Sequence, residues 1–327
     1  MTDLLLIDGN NIGFAAMYQS ALSRLAHNGR PTGGILGLAQ SVMRLSALFP
    51  DAVPVVLWDG YAAWRRELCP EYKANRKDTP EKIEVAEKWR QQEPLARTLL
   101  LHLGVIQVRA ADAEADDLAG RFCRSLEAED CPVGHITLAS NDRDWWQALG
   151  PLVDWFSPIT DTHVTLEDMG TTKVKDGPFD GAEEYLLAKA MAGDDSDNIP
   201  GVPGVGLKTA VKLLRAHGGL DGIRSAVQSG VAKDKKSVAI AEHHETILRN
   251  MRIMDWRQAP DLDVHQFGVL RETFDAGDAL PWCKELGLGK LADRLKDDGE
   301  WARLAGKWAV SNAMDFVSSP WYTVANK

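Results

Sequence analysis

Residues 192–208 read AGDDSDNIPGVPGVGLK, and two kinds of chemistry lie back to back in them. A helical pattern, Ala182–Ala192, runs into Asp194 and Asp197, which stand three residues apart and can face one site. Directly behind, Gly201, Gly204 and Gly206 punctuate a turn that opens a second helix, with Lys208, Thr209 and Lys212 in its first turns. Carboxylates at that spacing can hold a hard divalent cation. Backbone N–H groups where a glycine-rich turn opens a helix can take a phosphate. The same letters also suit a polar loop with a glycine-rich connection, so the rest of the chain has to decide between them.

Toward the N-terminus, three short apolar runs end on aspartate. Leu4-Leu5-Leu6-Ile7 stops at Asp8, Val53–Trp58 (with Pro54 near its start) stops at Asp59, and His135–Ala139 stops at Ser140-Asn141-Asp142-Arg143-Asp144. Helical patterns fill the gaps at Gly34–Leu48, Glu84–Leu103, Ala115–Leu126 and Trp145–Ala148. Strands alternating with helices predict an α/β domain with a mainly parallel sheet. One Asp-Gly after a strand is ordinarily a turn. Three strands ending this way carry more weight, because the ligand crevice of an open α/β sheet lies outside the carboxyl ends of its strands.

Glu114-Ala115-Asp116-Asp117 opens the helix before the third strand. Acids in a first turn suit the helix dipole, yet three carboxylates within four residues repel unless a cation or proton relieves them. With Asp194 and Asp197, nine carboxylates could face one crevice. Mg²⁺ takes few carboxylates per ion, so this many acids suggests two or more ions.

The chain has 327 residues, room for one large or two ordinary domains, with 45% hydrophobic and 26% charged residues. No run of 18 apolar residues occurs, and Asp3 and Asp8 come too early for a signal peptide. Four scattered cysteines lack CxxC spacing, so neither a zinc ribbon nor a disulfide framework is indicated. A soluble, cytoplasmic protein is expected. The net charge of −10 argues against nucleic acid taken whole, but residues 205–236 carry seven Lys and Arg against Asp221 and Asp234. A solvated helix face is the plainer alternative.

Residues 61–97 supply more chain than a strand-to-helix crossover needs, as a lid would. Within them Tyr72, Lys73 and Arg76 set an aromatic, an ammonium and a guanidinium close together, either a stacking platform with phosphate-neutralising charge or a surface loop. A domain boundary is expected in the turn-rich link Gly170–Gly181, giving domains 1–180 and 181–327. The second is read as helical over Glu183–Ala192, Leu207–Arg215, Leu220–Ser229 and Val238–Met254. An irregular stretch at Pro260–Phe267 and short helices at Ala279–Leu286 and Leu291–Lys296 follow. The tail, 300–327, contains Trp301, Trp308 and Trp321 and is assigned no chemistry.

LIDGNN at Leu6–Asn11, PEYKANR at Pro70–Arg76, EADD at Glu114–Asp117, SNDRD at Ser140–Asp144 and GDDSDNIPGVPGVGLKTA at Gly193–Ala210 resemble successive motifs of a known family. It is the bacterial and bacteriophage 5′→3′ exonuclease (flap endonuclease) family, and the match runs over roughly residues 4–255. No polymerase-sized segment follows, so the likeness is to the stand-alone form. The resemblance implies a PIN-like nuclease core with a helical arch at about 61–110 and a helix-three-turn-helix DNA-binding element. It makes Asp8, Asp59, Glu114, Asp116, Asp142, Asp144, Asp194 and Asp197 the metal-site acids, with Asp117 beside them. Lys73 and Arg76 become the arch cations at the scissile phosphate, and Tyr72 the neighbouring aromatic. Gly201, Gly204, Gly206, Lys208, Thr209 and Lys212 would grip duplex backbone, with K⁺ at the turn. Ala15-Ala16 departs from relatives that carry a basic residue in the first helix.

The activity so implied is a structure-dependent 5′-nuclease using two or more Mg²⁺ (or Mn²⁺) ions and leaving 5′-phosphate and 3′-hydroxyl ends. Its expected partners are DNA with a 5′ flap, a free 5′ end or an RNA–DNA primer junction, in replication and primer removal, with replication proteins and no membrane. A monomer is expected. The rival readings are a catalytically weak branched-DNA-binding protein and a PIN-type ribonuclease.

Overall fold

Leu4, Leu5, Leu6 and Ile7 are completely buried and form the middle of β1 (Thr2–Asp8). The computed structural model describes residues 1–327 except 78, 130, 172–173, 261–266, 298 and 310–327. After β1 come α1 (Gly9–Met17), a small hairpin of β2 (Ala26–His27) and β3 (Arg30–Pro31), α2 (Gly33–Leu48) and β4 (Ala52–Trp58). Next are α3 (Ala63–Leu68), a 3-10 turn (Ala74–Lys77), α4 (Pro80–His102), β5 (Ile106–Ala110), α5 (Ala115–Ser125) and β6 (Val133–Ala139). A 3-10 turn (Arg143–Ala148) leads to β7 (Val153–Ser157), β8 (Thr162–Val164) and α6 (Leu166–Met169).

The seven-stranded sheet has the order β11-β5-β4-β1-β6-β7-β8, where β11 is Phe267–Leu270. Strands β5, β4, β1, β6 and β7 pair in parallel, and antiparallel β11 and β8 close the two edges. The chain leaves central β1 on one side toward β4 and β5, then returns to β6 on the other. Asp8, Asp59 and Asp142 therefore leave the sheet around the point where the strand order reverses. Pro54 fits a central strand because the pairing of β4 with β5 begins only at Val55, so one side of Pro54 has no ladder to complete.

Strand β5 escapes a search for apolar runs because Gln107 and Arg109 interrupt it. Gln107 is nonetheless buried: its amide oxygen accepts the Trp58 indole N–H at 3.0 Å, and its NH₂ donates to Arg97 O at 2.9 Å. The end of the 61–110 segment is thus a sheet strand, and the arch-like chain shrinks to α3, the Ala74–Lys77 turn and the first half of α4. Helix α4 also starts earlier than its apolar pattern, at Pro80, with Thr79 Oγ1 accepting Lys82 N–H.

The second half contains α7 (Ala182–Ala192), a two-strand hairpin of β9 (Gly193–Asp194) and β10 (Ile199–Pro200), α8 (Leu207–His217) and α9 (Leu220–Gln228). The stretch Val238–Met254, read as one helix, is two: α10 (Lys235–Glu242) and α11 (His244–Met254). The break is at His243 (φ −95°, ψ 19°), whose Nδ1 lies 2.8 Å from Ala239 O. Helices α12 (Ala276–Glu285), α13 (Gly289–Asp297) and α14 (Gly299–Ala309) follow. Trp282 and Trp301 reach back to α4 and its cap, donating to Leu95 O and Leu103 O. Most of the irregular Pro260–Phe267 stretch, and the tail with Trp321, lie outside the described residues. Among the described residues no helix is long and apolar enough to cross a membrane.

Candidate active site

Asp8 is the last residue of β1 and the N-cap of α1. Its Oδ1 accepts Asn11 N–H at 2.9 Å and its Oδ2 accepts the Ser140 hydroxyl at 3.0 Å. One neighbour across, Asp59 Oδ1 accepts the first N–H of α5, from Ala115, at 2.9 Å, while Oδ2 accepts from Asn10 Nδ2 at 2.8 Å. Asp142, beyond β6, caps its own 3-10 turn through the Asp144 N–H. Asp116, in the first turn of α5, is held by the Trp145 indole N–H at 2.8 Å. These four acids line one cavity of about 800 Å³, with Asp197, Lys73 and Arg76 on its wall. Asp195, absent from the sequence reading, also lines it, and Phe14, Tyr18 and Trp89 supply an aromatic side.

The charge in this crevice is not balanced. Burial, then Asp59, pushes Asp8 up to about 7, against the pull of Asn11 N–H and the Ser140 hydroxyl. Burial also raises Asp116 well above the usual carboxylate range, with Lys73 opposing and Asp142 and Asp8 adding to the rise. Burial raises Asp142 despite Lys189, and burial plus Asp142 brings Asp144 to about 7. Such shifts come first from burial and then from neighbouring carboxylates that the nearby lysines only partly offset.

Part of the compensation comes from lysines and arginines. Lys189, on α7, bridges Asp144 and Asp194. Asp194 is held down to about 2: burial works the other way, and Lys189 with the Ser196 hydroxyl and N–H overcomes it. Lys73 Nζ sits 2.8 Å from Glu114 and 3.7 Å from Asp197, and Arg76 donates to Asp197 at 2.6 Å. Glu114, despite burial, is brought to about 2 by Lys73, Arg65 and the Tyr72 hydroxyl, which donates to it at 2.8 Å.

Two expectations need correction. Asp117 does not face the cavity: it is fully buried, its two oxygens take a fork of bonds from Arg65 at 2.7 and 2.6 Å, and Oδ2 also accepts Glu114 N–H. Its role is to hold Arg65 and the start of α5, with both oxygens engaged and buried away from the cavity. Tyr72 is no open stacking platform either, because its ring is buried and its hydroxyl spans Glu114 and Asp197.

Sequence reasoning missed Lys189, Arg65 and Asn250. Asn250, buried on α11, donates to Ala190 O and Pro200 O at 2.9 Å each, so it clamps the end of α7 to the hairpin that carries Asp194 and Asp197. A single lysine on a helix, an arginine in a basic run and an asparagine mid-helix give no signal in the letters.

The chain docks on that hairpin from the other side as well. Lys73 N–H donates to Asp197 O at 2.8 Å, Asn75 Nδ2 donates to Asp195 O, and Asn198 Nδ2 donates to Glu71 O. Lys73 adopts φ +58°, a left-handed conformation costing roughly 1 kcal/mol or more in a non-glycine residue, and these bonds hold it there.

Among the described residues no three of these acids already close on one ion-sized centre. The donor set nevertheless fits hard divalent cations: carboxylate oxygens without His or Cys, in surplus over their cationic partners, and raised in pKa first by burial and then by one another. Asp8, Asp59, Asp116 and Asp142 would take up an ion by turning lone pairs now facing the cavity.

The glycine turn lies on the same hairpin. A Cβ at Gly201 would fall 2.0 Å from Ala192 O, so this glycine is needed for chain packing. Gly204 takes φ +75° with open space around it, and Gly206 caps α8 without a side-chain acceptor. First-turn N–H groups of α8 are therefore left for an outside anion. Lys208 and Lys212 are exposed one turn apart, and Lys236 reaches Thr209 Oγ1 at 3.4 Å, so cations from α8 and α10 form one patch.

Residues 3–176 match the model of the 5′-3′ exonuclease N-terminal resolvase-like domain, and residues 181–277 that of the 5′-3′ exonuclease C-terminal SAM fold. The chain belongs to the 5′-3′ exonuclease family. The thermostable DNA polymerase I of Thermus filiformis is 30% identical over 288 residues, 88% of this chain and 32% of that protein. DNA polymerase I of Pseudomonas aeruginosa is 35% identical over 218 residues, 66% of this chain and 22% of that protein. The chain thus spans about a third or less of the curated relatives it matches. The T5 5′-exonuclease with bound zinc superposes with a TM-score of 0.65 at 26% identity, covering 78% of this chain and 89% of that one. The T5 D15 flap endonuclease, in a pseudo-enzyme-product complex with DNA and metal ions, has the same fold (TM-score 0.65, 23% identity, 92% and 99% covered).

Proposed function

We propose that this family member is a structure-dependent 5′-nuclease that hydrolyses DNA phosphodiesters near 5′ ends and flaps, with Mg²⁺ or Mn²⁺ as its ions. The observation that carries the reading is one cavity shared by Asp8, Asp59, Asp116 and Asp142, with Lys73 and Arg76 on its wall. Divalent ions held by these acids, with Asp144 and Asp194 behind them, would supply an acidified attacking water and positive charge at the leaving oxygen. The protein's own part is positioning and charge. Lys73 and Arg76 now pair with Glu114 and Asp197, and a scissile phosphate entering the cavity would take up the same donors. Residues 1–180 form the catalytic unit in this reading and residues 181–327 the DNA-binding one. The Gly201–Gly206 turn, Lys208 and Lys212 grip duplex backbone, with K⁺ at the turn. The T5 D15 flap endonuclease, which shares the fold, is itself complexed with DNA and metal ions.

Asp142→Asn removes a charge that two strands and α7 converge on. Cleavage of a flap substrate should be abolished in Mg²⁺, while DNA binding measured in Ca²⁺ stays near the wild-type value. Retained turnover would refute the metal-site role of Asp142. Replacing the flap DNA with RNA of the same sequence tests the ribonuclease alternative, which needs the acidic crevice but not α7, α8 and their turn.

A further inference from the structure

We propose that Trp89 and Asn10 form a positioning relay that ties the orientation of the Asp59 carboxylate to the seating of helix α4. The inference rests on the metal-dependent reading above and assigns a role to two residues outside the acid set. Asp59 is fixed by two donors, one per oxygen: Ala115 N–H on Oδ1 and Asn10 Nδ2 on Oδ2. Each oxygen keeps a lone pair for an ion, in a direction set by those donors.

Asn10 is itself fixed from the other side, because the Trp89 indole N–H donates to its Oδ1 at 3.0 Å. An indole can only donate and an ionised carboxylate can only accept. One orientation of the Asn10 amide satisfies both, and the flipped one satisfies neither.

Trp89 sits in a slot built for it. It is 3% exposed, and a Cβ at Gly13 of α1 would fall 2.0 Å from its ring, with one at Gly34 of α2 at 3.0 Å. The Phe14 ring packs beside it, centroids 6.0 Å apart. Three residues on, Gln92 is fully buried, and its Oε1 accepts Gly34 N–H at 2.8 Å and Ile35 N–H at 3.4 Å. The inner face of α4 is therefore pinned against the starts of α1 and α2 by two polar anchors.

Helix α4 is also the element that continues from the segment holding Lys73 and Arg76. A shift of that helix would be felt at Asp59 through two hydrogen bonds. The relay makes ion affinity at Asp59 depend on where the lid helix rests.

The test uses the full chain with Asn10→Ala, Trp89→Phe and the double variant. Trp89→Phe keeps an aromatic ring in the slot while removing the donor together with part of the ring volume, and the metal readouts separate the first loss from the second. Two readouts are taken: the Mg²⁺ half-saturation of flap cleavage, and the rise in thermal midpoint on adding Ca²⁺ without DNA. Asn10→Ala should raise the half-saturation about tenfold and shrink the Ca²⁺ shift, and Trp89→Phe should do both to a smaller extent, about threefold. The double variant should be no worse than Asn10→Ala alone, with DNA KM at saturating metal unchanged.

Unchanged half-saturation and Ca²⁺ shift in both single variants would overturn the relay, as would strictly additive effects. If Trp89→Phe does not fold, Asn10→Ala decides alone, because it substitutes a good helix former on a half-buried helix position. A wild-type protein with neither Mg²⁺-dependent cleavage nor a Ca²⁺ shift would instead sink the nuclease reading beneath it.

Discussion

Lys189 and Arg65 show how the acid cluster is held together before any ion arrives. Lys189 bridges Asp144 and Asp194 with 17% of its side chain exposed, so its removal leaves two half-buried carboxylates facing each other. Lys189→Ala should lower stability by roughly 2 kcal/mol in EDTA, below the full cost of breaking a buried pair because solvent reaches this one. Mg²⁺ should narrow the gap to wild type, since an ion would supply the charge the lysine took away. Thermal unfolding with and without metal checks this, and an unchanged gap would separate Lys189 from the ion site. Arg65 is buried against Asp117 and Glu114, and Arg65→Met should cost about 3–5 kcal/mol, read by denaturant unfolding. At this scale the acids were legible and their counter-charges were not. An aspartate ending an apolar run announces itself, whereas Lys189 lies among Leu186, Leu187 and Ala190 as any surface lysine would, and only the fold sets it against Asp144.

Among the elements, the hairpin β9–β10 joins the acid-lined cavity to the glycine turn. Its loop carries Asp194 to Asp197 toward the cavity, and its exit passes through Gly201 into the glycine turn and α8. Lys208→Ala and Lys212→Ala should each weaken DNA binding evenly across sequences. Each should also flatten the slope of log affinity against log salt by about one, as expected for the loss of one phosphate contact. Binding isotherms at several salt concentrations check this, and an unchanged slope would remove the residue from the interface. The helix–turn–helix was readable because its glycines answer local needs: close approach to Ala192 at Gly201 and φ +75° at Gly204. Strand β5 was not, because Gln107 earns burial only through Trp58 on a neighbouring strand. Asp117 was misjudged for a similar reason, its partner Arg65 being far away in sequence.

At the level of the whole molecule, one sheet orders the acids and the helices after residue 275 brace α4 from its far end. Trp301 is buried, donates to Leu103 O and packs edge-on to Trp308 at 5.1 Å between ring centroids. Trp301→Ala should cost about 3–5 kcal/mol in unfolding experiments, yet leave metal-dependent cleavage intact well below the melting temperature. Lost cleavage in a folded variant would mean that these helices reach the chemistry. The α/β class and the parallel sheet could be read from alternating patterns, while the antiparallel edge strand β11 depends on a partner distant in the chain, β5.

The proposed chemistry requires the acids at the ends of β1, β4 and β6 and the start of α5 to act together on a phosphodiester through bound ions. Product mapping on a 5′-labelled flap, with Mg²⁺ and with EDTA, tests this most directly. Cuts near the 5′ end or at the flap junction, leaving 5′-phosphate ends, that vanish in EDTA and in Asp142→Asn are the expected result. Cutting that survives EDTA, or that Asp142→Asn leaves untouched, would contradict it.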